Sequence, residues 1–160
     1  MIGNDIIDLQ LAAVESNWTR KGFLEKIFNP SEIEIIFLAD NHFLMVWILW
    51  SMKESAYKIY NRKTGRRSFN PKYFLCSLNK NTLHGTVVFE EKMCYTKTVV
   101  SIDLIDTICS DIANDFVNIN TAPSEKLIRL NGKPFVQIDD DLLPASLSQH
   151  GRFKKAIYIN

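Results

Sequence analysis

The sequence predicts an α+β fold in which an antiparallel sheet packs against one long central helix. Three observations predict it. The run FLMVWILW (Phe43 to Trp50) carries no charge and continues into WSMKESAYKIY (50–60), long and apolar enough for a buried helix. The segments KYFLCSL, GTVVFEE and CYTKTVVSIDL read as three strands with short connections. The C-terminal ASLSQHGRFKKAIYI reads as strand, turn at His150-Gly151, and strand. Helices and antiparallel strands are interleaved, which is the α+β pattern.

The elements follow in chain order. Residues 2–9, IGNDIIDL, are a short β-branched strand entering a polar turn. GFLEKIF (Gly22 to Phe28) has an apolar face at helical spacing, and Asn29-Pro30-Ser31 then punctuates the chain. Ser31 is the expected N-cap of SEIEIIFLAD, with Glu34 three residues on in a capping-box pattern. The long helix is expected from about Phe43 to Tyr60, ended by Gly65 and the polar NRKTGRR. Residues 105–117 fit a helix or an irregular return equally well. Asn131-Gly132 signals a tight turn ahead of KPFVQI.

With 160 residues, 46% hydrophobic and 23% charged, the chain suits a single globular domain over 1–160. A net charge of +1 gives no global case for nucleic acid or an anionic membrane. The apolar run ends at Lys53, too short to span a bilayer. MIGNDIIDL has two aspartates and no basic region, unlike a signal peptide. Cys76, Cys94 and Cys109 are odd in number and widely spaced, which fits a reducing cytoplasm better than disulfides or a zinc site.

Charge inside the apolar helix is the unusual feature. Glu54 and Lys58 stand four residues apart and share a face; Lys53 lies about 100° round the axis. A surface salt bridge, worth about 0.3–0.5 kcal/mol, accounts for the pair. The large apolar groups on the other faces argue for a second account. A carboxylate held among them costs several kcal/mol unless it is paired or holds a cation. Strand alternation puts Asp5 and Ile7 on one face and Ile6 and Asp8 on the other, so one aspartate of the opening strand can meet the helix. Asp5 with Glu54 makes two hard oxygen ligands, the protein share of many magnesium sites. A turn or cap aspartate is the plainer account of Asp5.

These residues carry a resemblance. GNDIIDL resembles the G-[ILV]-D-[IV]-x-[ED]-[LR] signature of the 4'-phosphopantetheinyl transferase superfamily, and WSMKESAYKIY its second signature, W-[ST]-x-K-E-[AS]-x-x-K. Between them, GFLEKIFNPSEIEII resembles the family's helical run; near the C-terminus, NGKPFV and SLSQHG resemble its G-K-P and S-x-[ST]-H-[ST] motifs. The motif order is that of the small holo-acyl-carrier-protein-synthase type, while the WSMKES wording is closer to the larger surfactin type. Residues 75–129 align with neither.

The resemblance implies the family's fold and a Mg²⁺-dependent transfer of 4'-phosphopantetheine from coenzyme A to a serine of an acyl or peptidyl carrier protein, releasing 3',5'-ADP, in fatty acid, polyketide or peptide synthesis. It implies Asp5 and Glu54 as metal ligands, Glu54 as activator of the serine, and Lys58 beside the departing phosphate. Lys53 would contact coenzyme A phosphates, Lys133 the adenine and 3'-phosphate, and Ser146 and Ser148 the strand along the nucleotide. The family histidine falls at Gln149; His150 reads as a solvated turn residue that substitutes only if the turn rotates it inward. Asp8 falls where the small type has a further carboxylate near the site. A homo-oligomer, a trimer first of all, is expected from the small type, unless the extra central segment completes the site within one chain. The cluster Arg62, Lys63, Arg66, Arg67 and Lys72 reads as a solvated helix end or a patch for the 3'-phosphate or an acidic carrier, for which Arg20, Lys21 and Lys26 are also candidates. Gln149 motivates the alternative, a homologue that binds coenzyme A or a carrier protein without turnover.

Overall fold

In the computed structural model, which describes residues 1–160, the first strand, β1 (Ile2–Asp8), is buried along its whole length. A strand so placed needs a partner on each face and at each edge, and the rest of the chain supplies them. Helices α1 (Leu9–Glu15), α2 (Phe23–Ile27), α3 (Pro30–Phe37) and α4 (His42–Thr64) follow, and then strands β2 (Leu75–Leu78), β3 (His84–Phe89), β4 (Lys92–Val100) and β5 (Leu104–Ser110). These form an antiparallel sheet in the order β1-β5-β4-β3-β2. A second antiparallel sheet has the order β6-β10-β9-β8-β7, from β6 (Ile119–Thr121), β7 (Leu127–Leu130), β8 (Lys133–Ile138), β9 (Asp141–His150) and β10 (Phe153–Ile159). The α+β architecture with antiparallel sheet against a central helix is as expected. No helix is long and apolar enough to cross a membrane.

α4 is longer than the sequence suggested, 23 residues against the expected 43–60. Its start is set by Asn41, whose side chain accepts from the Leu44 N–H at 2.9 Å, and its end by Gly65 at φ 73°. Val46, Ile48, Leu49, Met52, Ala56 and Ile59 on this helix are all but closed to solvent and pack with Val87, Phe89, Cys94, Ile105 and Cys109 of the sheet. Each large side chain buried this way is worth about 1.5–3 kcal/mol.

Two local expectations are corrected. α3 is capped at Asn29 rather than Ser31: Pro30 takes the first helical position, where its missing N–H costs nothing, and Glu32 returns to accept from the Asn29 N–H at 2.8 Å. Residues 104–110 are a strand, β5, lying between β1 and β4. Asn131 and Gly132, at φ 52° and 76°, make the tight β7–β8 turn as expected.

Gly3 sets the distance between β1 and α4. A Cβ there would lie 2.0 Å from the Ser55 carbonyl oxygen, so the strand backbone rests directly on the helix backbone. On the other side, β1 meets β9 without a backbone ladder. The N–H groups of Asn4, Ile6 and Asp8 donate instead to Ser146 Oγ (3.0 Å), Ser148 Oγ (3.1 Å) and His150 Nδ1 (2.9 Å). Alternate side chains of one strand thus satisfy alternate N–H groups of the next.

Candidate active site

Two cavities lie side by side where β1, α4 and β9 converge. The first, of 330 Å³, is walled by Ile7, Ala12, Phe23, Ile27, Trp47 and Trp50 and takes its polar character from Asp5, Glu54, Gln149 and His150. The second, of 720 Å³, is lined by Lys58, Arg62, Arg67 and Lys133 with Tyr57, Asn61 and Ser146, and has no carboxylate in its wall.

The acidic cavity draws Asp5 from β1 and Glu54 from the middle of α4. Parity of the strand sends Asp5 toward the helix, and the contact at Gly3 brings the two elements close. Asp5 is buried, and its Oδ1 accepts from Ser148 Oγ at 2.9 Å with the Lys58 ammonium 3.6 Å away. Burial pushes its carboxyl above the usual value, while Lys58 and Ser148 act in the opposite sense. Glu54 receives no hydrogen bond; burial and the Asp5 charge push its carboxyl up to about 7, with Lys58 only partly offsetting them. The buried Ser51 hydroxyl, one turn before Ser55 on α4, makes no well-formed hydrogen bond but lies near enough to Asp5 to help hold its carboxyl down.

Two carboxylates in one partly desolvated cavity, one of them unpaired, are short of positive charge, and Lys58 alone does not supply it. That donor set fits a hard divalent cation completed by water and ligand oxygens. No group of three or more His, Cys, Asp or Glu side chains adds protein ligands to the pair.

The basic cavity is built on the last turns of α4. Lys58 and Arg62, four apart, face it together. Arg62 donates to the carbonyls of Pro134 (2.6 Å) and Ala145 (2.7 Å) and lies 5.1 Å over the Phe135 ring. Lys133 Nζ donates back to the Arg62 carbonyl at 3.1 Å, a reciprocal latch between helix and hairpin. Burial with no acidic partner lowers the pKa of Arg62. The cavity is therefore suited to an anion. Lys58, which also donates to the Asn4 carbonyl, stands between the two cavities.

Of the residues singled out in the sequence, Asp5, Glu54, Gln149 and His150 line the acidic cavity, and Lys58, Lys133 and Ser146 the basic one. Ser148 touches Asp5 directly. Lys53 is placed elsewhere. It is wholly buried, 2.7 and 2.8 Å from the two Glu32 oxygens, and donates to the carbonyls of Pro71 and Phe74. Glu32 also accepts from the Cys76 N–H at 2.7 Å. The expected contact of Lys53 with coenzyme A phosphates is thus corrected: its ammonium pins α3 and the 3₁₀ turn at Pro71–Tyr73 onto α4 and lines neither cavity. His150 is corrected as well. It is not a solvated turn residue but the third member of the inward set 146, 148, 150, half-buried, with Nε2 3.7 Å from Glu15. Asp8 turns away from the cavities, capping α1 and binding Arg152 through both oxygens at 2.8 and 2.9 Å. Of the basic cluster only Arg62 and Arg67 face a cavity; Lys63 pairs with Asp111 and Arg66 with Glu90. Arg62 was read only as one of that cluster; its four-residue offset to Lys58, which puts both on one helix face, is the signal that could have singled it out.

No curated protein sequence matches the chain. Among solved structures, it is similar to a holo-[acyl-carrier-protein] synthase from Neisseria meningitidis, with a TM-score of 0.51 and 11% identity over 68% of this chain and 94% of that one. It is also similar to a holo-ACP-synthase from Plasmodium yoelii, with a TM-score of 0.49 and 15% identity over 68% of this chain and 90% of that one. The first likeness is one of fold. The model of the 4'-phosphopantetheinyl transferase superfamily matches residues 1–108, which hold β1, α4 and both carboxylates. By that match over most of its length, the chain belongs to the 4'-phosphopantetheinyl transferase superfamily.

Proposed function

We propose that this protein transfers 4'-phosphopantetheine from coenzyme A to a serine hydroxyl of an acyl or peptidyl carrier protein, with Mg²⁺ held by Asp5 and Glu54. The observation that carries the reading is the meeting of an acidic cavity and a carboxylate-free basic cavity at Lys58. Coenzyme A has a 3'-phosphate at one end of its nucleotide and a pyrophosphate at the other. The basic cavity would take the nucleotide, with Arg67, Lys133 and Arg62 toward its phosphate and Lys58 beside the pyrophosphate.

A divalent ion bound by the two carboxylates would neutralise charge on the pyrophosphate oxygens. The chain's own groups do the remainder. Glu54, in reach of the same cavity, accepts the proton of the incoming serine directly or through water. The serine oxygen forms a bond to the phosphorus that bears pantetheine, and the bond from that phosphorus to the 3',5'-ADP oxygen breaks. Lys58 stabilises the charge that gathers on the departing 5'-phosphate oxygen of 3',5'-ADP. The apolar wall excludes competing water. Arg20, Lys21 and Lys26 are exposed around α2, where an acidic carrier would approach the cavity mouth.

Incubation with coenzyme A, Mg²⁺ and an apo-carrier protein should raise the carrier mass by one phosphopantetheine group. No addition across several carriers, with coenzyme A nevertheless bound, would replace this reading with that of a binding homologue without turnover.

A further inference from the structure

The hydroxyl of Ser148 sits in a strand that the family resemblance would set along the nucleotide, yet its hydrogen-bonding capacity is directed elsewhere. A serine hydroxyl has one proton to give and lone pairs to receive. Here the Ile6 N–H donates to Oγ at 3.1 Å, and Oγ donates its only proton to Asp5 Oδ1 at 2.9 Å. Both residues are buried. The Lys58 ammonium also addresses Oδ1, at 3.6 Å, and the Ser51 hydroxyl and the Ile6 N–H act on the same carboxyl. Ser146 repeats the arrangement one rung along, accepting from the Asn4 N–H at 3.0 Å and donating to the Asn4 side-chain oxygen at 2.7 Å. Neither hydroxyl has a proton left for a nucleotide.

We propose that Ser148 is a positioning residue for Asp5: the relay from the Ile6 N–H through the Ser148 hydroxyl tethers Oδ1 and fixes the Asp5 carboxylate in one orientation for the cation. The proposal rests on the reading of Asp5 as a metal ligand. An aspartate at the edge of a sheet can rotate about two bonds, and a ligand free to rotate must be ordered when the ion binds. A partner that tethers one oxygen beforehand removes that cost, which is how residues behind a metal ligand raise affinity. The seam between β1 and β9 is built for this. A backbone ladder would have satisfied the same N–H groups but placed a carbonyl or an N–H, not a hydroxyl, beside Asp5. Because β9 meets β1 through side chains, one of its residues can receive from the backbone and give to the carboxylate at once. Ser146 shares the seam and the buried hydroxyl but ends on an amide, which makes it the natural comparison.

Mn²⁺ serves as the probe, titrated by electron paramagnetic resonance into the full chain without coenzyme A, beside a denaturant unfolding curve. Ser148→Ala should weaken Mn²⁺ binding about 10- to 100-fold, the usual range for losing a partner behind a ligand. Its coenzyme A KM at saturating metal should stay near that of the natural protein. Ser148→Thr, which keeps the hydroxyl, should recover most of the affinity. Ser146→Ala should lose comparable stability with Mn²⁺ affinity close to unchanged. A folded Ser148→Ala that binds Mn²⁺ as the natural protein does would overturn the proposal, as would equal weakening in Ser146→Ala. If Ser148→Ala fails to fold, Ser148→Cys, with similar volume and a poor donor, reads the same comparison. A natural protein that transfers phosphopantetheine without any bound metal would remove the reading of Asp5 itself, a different result from failure of the relay.

Discussion

The sheet of β1–β5 lies against α4 within a core of 21 buried residues, while the sheet of β6–β10, with as many strands, encloses a core of four: Ala122, Val136, Ala145 and Ala156. Three of those four are alanines, which bury little apolar area each. Beside this small cluster and the buried Ile2, Ile6 and Ile157, the second sheet is joined to the first half by a series of polar contacts. These are the Ser146, Ser148 and His150 rungs on β1, the Asn4 amide on the Lys155 carbonyl, Lys155 on Asp106, Arg152 on Asp8, and the Arg62 latch. Most of them border the candidate site. The lesson is one of coupling: the half that carries the carboxylates is stable through apolar burial, and the half that completes the basic cavity is ordered by the site's own hydrogen bonds.

Glu54→Gln would sharpen this contrast most. Transfer should fall about 10²- to 10⁴-fold, the usual share of a positioned acid or base, with an unfolding curve like that of the natural protein. Retention of full activity would break the assignment of chemistry to the helix half. Next comes Lys53→Met, which leaves Glu32 buried and unpaired and should cost about 3–5 kcal/mol of global stability by urea denaturation. A cost no larger than that of a surface substitution would contradict the buried ion pair. Arg62→Met removes two charge-assisted bonds, each worth about 1.5–3 kcal/mol. Hydrogen exchange should then rise in β8 and β9 before it rises in β4 or β5; uniform acceleration would show the two halves to unfold as one.

The smallest effect concerns acid. The bidentate Arg152 guanidinium holds the Asp8 carboxyl well below the usual carboxylate range. A depressed folded-state pKa stabilises the fold fully above the unfolded value of about 3.9 and loses that contribution as pH falls below it. The β9–β10 turn should loosen first on acidification below about pH 4, and Asp8→Asn should flatten that part of the stability profile. An unchanged acid limb would remove Asp8 from the seam.

Local pattern made several elements legible. The charge-free run marked α4, alternation marked β1, β3 and β4, and Asn131-Gly132 and His150-Gly151 marked their hairpin turns. β5 was obscured because its inward residues are Ile105, Thr107 and Cys109, a face too weakly apolar to declare a period. The two motifs pointed to Asp5, Glu54 and Lys58, while strand parity said only that Asp5 and Asp8 face opposite ways. Lys53 was misassigned for a reason of range: its partner Glu32 lies on another helix, and nothing within a few residues of Lys53 reveals it. His150 was named as a site residue only on condition that its turn rotates inward, because motif position was counted along the chain. Counting by twos from Ser146 and Ser148 would have placed it inward. The Arg62 latch depends on carbonyls of Pro134 and Ala145, which no side-chain pattern encodes.

Position 3 has a bearing on the site two residues away. Since even a methyl group at this point would collide with the Ser55 carbonyl, any larger residue must push the opening strand away from the long helix. The acid two places further on would retreat with it, widening the gap that the proposed ion would have to bridge. The absence of a side chain at residue 3 thus acts as a spacer of zero length, and its replacement by alanine should register first as lost metal affinity and only then as lost stability.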